Sequence, residues 1–109
     1  MAFHQFGLME RPPQKGERFD RYEPERYGCI AVSDELIDGL NEAFGDIAAF
    51  SHTIDQPCHG LVEAGITLIP PGSAGRMAKE LGQNKAYSSL QLLLIRAERT
   101  RKWTIHFGI

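Results

Sequence analysis

The chain has 109 residues, 42% of them hydrophobic and 24% charged, with a formal net charge of −2 at pH 7. A chain of that size and mixture forms one domain around one core and is not a disordered polymer. A charge so near zero sets up no field to draw in a phosphate backbone or an anionic lipid surface, so no nucleic-acid or membrane partner is expected.

Cys29 and Cys58 allow at most one disulfide, fewer than small secreted domains rely on. The opening stretch MAFHQFGLMERPPQKG lacks the apolar block of a signal peptide. LLLI at 92–95, the longest apolar run, is far short of the roughly 20 residues a membrane helix needs. A cytoplasmic location with two reduced thiols is the expectation.

Residues 1–25 carry two of their prolines as the pair Pro12–Pro13, hold charges of both signs and show no apolar periodicity. That pattern predicts an extended N-terminal arm or loop, with Phe3, Phe6 and Leu8 as anchors. The domain proper is expected over 26–109. YGCIAV (27–32) reads as a buried strand. Ser33 follows as an N-cap, Asp34 and Glu35 suit the first turn, and Leu36, Ile37, Leu40, Ala43 and Phe44 recur at helical spacing up to Gly45.

AFSHTI (49–54) and LVEAGITLI (61–69) alternate as strands, and the loop 55–60 between them suggests an antiparallel hairpin. Pro70-Pro71-Gly72 ends the second strand, Ser73 is placed to cap a helix, and Ala74, Met77, Ala78 and Leu81 form its apolar stripe. YSSLQLLLIRAERTRK (87–102) predicts a further helix, with a strand as its rival. WTIHF (103–107) closes the chain as a strand. The order β-α-β-β-α-α-β predicts an α+β two-layer sandwich, with one mostly antiparallel sheet of about four strands and helices on one face.

On that frame the outer sheet face holds Ser51, Thr53, Glu63, Thr67, Thr104 and His106. It offers no aromatic platform for RNA, and the arm or a second subunit would cover it.

Three readings of chemistry follow. His52, Asp55, Cys58 and His59 gather reactive types in one short stretch, but they lack the C-x₂₋₄-C or H-x₃₋₅-H spacing of a zinc site, so no metal is expected. A thiolate nucleophile at Cys58 needs a histidine base and an orienting acid. The hairpin would set Cys58 and His59 at the sheet end where Asp34 and Glu35 begin their helix, which makes Cys58, His59 and Asp34 the catalytic candidates. The plainer account of DQPCHG (55–60) is turn chemistry.

PPGSAGRM (70–77) offers helix-start amides and a guanidinium, so Gly72, Ser73, Gly75 and Arg76 are the anion-binding candidates; it matches neither a P-loop nor a dinucleotide fingerprint, and no cofactor is implied. The basic run 96–102 suits a helix C-terminus. The leading expectation is a small cytoplasmic binding or interaction module, non-catalytic and self-associating, as a homodimer or with a protein partner. A Cys58-dependent enzyme and a small-anion or nucleotide sensor are the alternatives.

Overall fold

A computed structural model describes residues 2–109. Six strands form one antiparallel sheet: β1 (Phe3–Leu8), β2 (Ile30–Ser33), β3 (Ala48–Ser51), β4 (Pro57–His59), β5 (Ile66–Ile69) and β6 (Thr104–Phe107). They lie in the order β2-β1-β6-β5-β3-β4, with every neighbouring pair antiparallel. Four α-helices complete the fold: α1 (Asp34–Asp38), α2 (Asn41–Phe44), α3 (Pro71–Glu80) and α4 (Ser88–Thr100). The class is α+β. Among the described residues no helix is long and apolar enough to cross a membrane.

The sheet is wider than the expected four strands for two reasons. Phe3–Leu8 is no free arm: β1 sits between β2 and β6, joining the start of the chain to its end. Its inward residues are His4 and Phe6, both fully buried, and a histidine on the buried face conceals the alternation that marks a strand. The predicted loop 55–60 also contains β4, which pairs with β3 on the side away from β5.

Other differences have local causes. The expected helix 33–45 is split into α1 and α2 around Gly39 and Leu40. Residues 61–65 turn back before the strand, and β5 is buried at all four positions, so it is a central strand covered on both faces. Ser73 does not cap α3. Pro70 is the N-cap and Pro71 occupies the first helical position, where a missing N–H costs no helix bond. The stretch 88–100 is helix, and Arg101 ends it in the left-handed conformation.

Two cores lie on opposite faces. One joins Phe6, Val32 and Ile69 of the sheet to residues of all four helices, among them Ile37, Phe44, Met77 and Leu94. The other gathers Met9, Ile66, Leu68, Ile105 and Phe107 under Phe19, Tyr27 and Trp103. The segment 9–29, a strap without strands, packs on the second core through Met9, Phe19, Tyr27 and Cys29. Gly7 is required where the strap crosses β1: a Cβ there would sit 2.7 Å from both Cys29 Sγ and Tyr27 Cβ.

Candidate functional site

Of the six polar residues assigned to an outer face, Glu63 is exposed and Ser51 half-buried, but the three on β5 and β6 are on the covered helix side. Thr67, Thr104 and His106 are all completely buried. The opposite residues of β5 and β6, Leu68, Ile105 and Phe107, fill the second core under the strap. His106 Nδ1 lies 3.0 Å from Thr67 Oγ1, and its Nε2 lies 2.8 Å from His4 Nδ1. His4 Nε2 lies 2.9 Å from Asp34 Oδ1.

The direction of this chain follows from its ends. Val62 N–H donates to Thr67 Oγ1 at 2.8 Å, so the threonine hydroxyl is free to donate to His106 Nδ1. The His106 Nε2–H then donates to His4 Nδ1, and the His4 Nε2–H donates to the Asp34 carboxylate. Every ring nitrogen of the two histidines then has a partner. Burial first, and His4 second, hold His106 down at a pKa of about 3. Neither ring keeps a free lone pair, so neither can serve as a general base in this arrangement. The chain ties β5, β6, β1 and α1 together. Thr104 Oγ1, on the same face, is buried without a hydrogen-bond partner.

His52 performs a second structural task. It adopts φ +64°, and Ile66 N–H donates to its Nε2 at 3.3 Å. Its Nδ1–H therefore faces the strap, with Phe19 O at 3.0 Å and Asp20 Oδ1 at 2.9 Å. Phe19 N–H donates back to His52 O at 2.8 Å, and Gly16 N–H donates to Asp55 Oδ2 at 2.9 Å. The turn at 51–55 clamps the strap at two points.

Between strap and sheet opens a cleft of about 820 Å³, within the usual range for small-molecule sites. Met9, Phe19, Tyr27 and Ile105 supply its apolar surface, and four arginines and four carboxylates line it. Six of those charges pair off: Arg11 with Glu17 at 2.8 Å, Arg18 with Asp20 at 3.1 Å and Arg26 with Glu23 at 3.3 Å. The Gln14 amide foremost, with Arg11 adding to it, holds the Glu17 carboxyl below its usual range. Arg18 does the same for Asp20. Among the described residues Glu10 and Arg21 have no ion-pair partner. The cleft offers one unneutralised charge of each sign over an apolar floor.

No family model, curated protein or solved structure matches this chain.

The catalytic candidates are not brought together. Asp34 follows β2 at one sheet edge and Cys58 lies on β4 at the other, five spacings of about 4.8 Å apart, or roughly 24 Å. Asp34 is spent on His4, and burial raises the Cys58 thiol above its ordinary pKa, the reverse of what a nucleophile needs. Cys29, beside β2, is pushed up to about 11 by burial and then by Glu25.

The anion-binding candidates all lie on α3 but do not share one surface. Gly72 and Ser73 lie in the first turn of α3, but Gly75 is buried against α4, where a Cβ would meet Glu98. Arg76 reaches Asp46 at 3.6 Å. Among the described residues no three His, Cys, Asp or Glu side chains are placed to hold a metal ion.

The cleft escaped the sequence because the strap has no periodicity. Its density of alternating charge between Glu10 and Arg26 was the available signal.

Proposed function

We propose that this chain is a non-catalytic cytoplasmic binding module that acts as a self-associated pair and takes a small zwitterionic ligand with an apolar body, of the amino-acid or short-peptide class, in the cleft beneath the strap. The observation that carries this reading is the leftover pair of charges, Glu10 and Arg21, in a cleft whose other six charges are internally neutralised. A ligand with one ammonium and one carboxylate answers both, and its body lies against the half-buried Phe19 and Tyr27.

A two-layer arrangement with helices on one sheet face is part of this reading, supported by the four helices sharing the first core while the strap packs on the second. Two unpaired thiols at opposite sheet edges fit a reducing compartment. A Cys58 enzyme has a raised thiol pKa against it, and an anion sensor at Gly72–Arg76 has a buried Gly75 and an engaged Arg76 against it.

Calorimetric titration with L-phenylalanine and with N-acetyl-phenylalanine amide tests the ligand class. Saturable heat is expected from the first and none from the second, with Glu10→Ala and Arg21→Ala each weakening binding about tenfold. Equal binding of the neutral compound, or no loss in either variant, would overturn the reading.

A further inference from the structure

The two edges of the sheet are built differently. At β4, Ser51 N–H donates to Gln56 O at 2.9 Å and Gly60 N–H to Ile47 O at 2.8 Å. By the antiparallel alternation Cys58 then bonds inward to β3, while Pro57 and His59 face out. Pro57 has no N–H to offer, so this edge is blunted.

At β2 the alternation leaves real donors. Asp34 N–H donates to Ala2 O at 3.0 Å, and Met9 N–H donates to Trp103 O at 2.9 Å. Hence His4 and Phe6 bond to Val32 and Ile30, whereas Gln5 and Gly7 bond to β6. The backbone groups of Cys29, Ala31 and Ser33 are turned outward.

Two of those outward groups are already used. Cys29 N–H donates to Pro24 O at 3.2 Å, and Ser33, as the N-cap of α1, gives its carbonyl to the first helical bond. What remains is the N–H of Ala31 and Ser33 and the C=O of Cys29 and Ala31.

That remainder is self-complementary. If a second β2 runs antiparallel with Ala31 on the two-fold axis, the two Ala31 residues exchange both their bonds, and Ser33 N–H meets the C=O of the partner's Cys29, twice. Four hydrogen bonds form and no free group is left over. The only mismatched encounter, Cys29 N–H with Ser33 C=O, falls on groups satisfied within their own chain.

The flanks agree. Helix α4 packs over β1 and β2, and beside Ile30 it presents Leu92, 66% exposed, and Arg96 around a cleft of about 360 Å³. At the other end of β2 stands the exposed Glu35 of α1. Neither Arg96 nor Glu35 has an ion-pair partner among the described residues. In such a pairing the antiparallel reversal would bring the Arg96 end of each chain toward the Glu35 end of its partner, with Leu92 on the same side.

We propose that two copies of this chain pair through the free edge of β2, antiparallel about Ala31, joining two six-stranded sheets into one. This rests on the self-association proposed above and names its surface; it is independent of the cleft's ligand. Isologous edge pairing of this kind satisfies an open edge without inviting further strands.

Sedimentation equilibrium of the full chain from micromolar to submillimolar concentration tests it. The expected mass is twice the 12.2 kDa of one chain. Ala31→Pro removes an outward N–H at a position where an edge strand tolerates proline, and should raise the dissociation constant at least about tenfold with the circular dichroism spectrum unchanged. Arg96→Glu should weaken the dimer, and the double variant Arg96→Glu/Glu35→Arg should restore it; should Ala31→Pro fail to fold, this charge swap decides alone. A wild-type chain of single mass throughout would overturn both the surface and the self-association. A dimer unmoved by these variants would overturn the surface and leave self-association standing.

Discussion

His4 Nδ1 and His106 Nε2 meet at 2.8 Å across 102 residues of sequence. The contact closes the sheet between its first and last strands, and it works because Thr67 and Asp34 complete the chain at either end. A buried imidazole pair is destabilising unless every nitrogen is answered. Here four elements supply the answers.

Removing one ring should therefore cost more than its volume. His106→Leu leaves the Thr67 O–H without an acceptor, although its oxygen still accepts from Val62 N–H, and leaves His4 Nδ1 without a donor; each buried orphan costs about 1–3 kcal/mol. Urea unfolding at pH 7 should show a loss of about 2–5 kcal/mol, with the slope of the transition unchanged.

The same pair predicts acid sensitivity. His106 is held at about 3 in the folded chain against an ordinary 6.5. Between those values the unfolded state takes up a proton that the folded state refuses. Stability is thus present in full above about pH 6.5 and declines as the pH falls toward 3, by up to about 1.4 kcal/mol per pH unit for this group. Denaturation midpoints measured from pH 7 to pH 4 should fall, and His106→Leu should flatten the slope.

The clamp on the strap can be released separately. His52→Ala removes the bonds to Phe19 O and Asp20 and the acceptor for Ile66 N–H. Global stability should drop by about 1–2 kcal/mol, while amide exchange at Gly16 and Phe19 should accelerate at least about tenfold as the strap opens locally.

Two glycines should respond oppositely to alanine. A Cβ at Gly108 would run into the backbone carbonyl of Glu63, which no rotamer change relieves, so Gly108→Ala should lose about 2–4 kcal/mol. A Cβ at Gly72 meets nothing within 4 Å, and Gly72→Ala should gain up to about 1 kcal/mol from helix propensity. Thermal melts of both variants read the contrast.

The elements legible in the sequence were those whose burial follows from apolar side chains. Leu90, Leu94 and Ala97 announce α4, and Ile105 with Phe107 announces β6. The α+β class and the antiparallel meeting of the strands around Phe50 and Leu68 follow from the same logic. What stayed hidden was burial achieved by polar groups satisfying one another. Thr67 and His106 read as outward because partners such as His4 and Asp34 cannot be seen from spacing, and β1 read as an arm because His4 occupies one of its core positions. The cleft was hidden for another reason: the strap is fastened by hydrogen bonds at His52 and Asp55, which leave no periodic trace.

The cleft reading is tested most directly by mapping amide shifts of the ¹⁵N-labelled chain as L-phenylalanine is added. Saturable shifts confined to residues 9–27 and Ile105, abolished in Arg21→Ala, are the predicted result. Shifts that cluster instead around Gly72–Arg76, or that persist unchanged in Arg21→Ala, would contradict it.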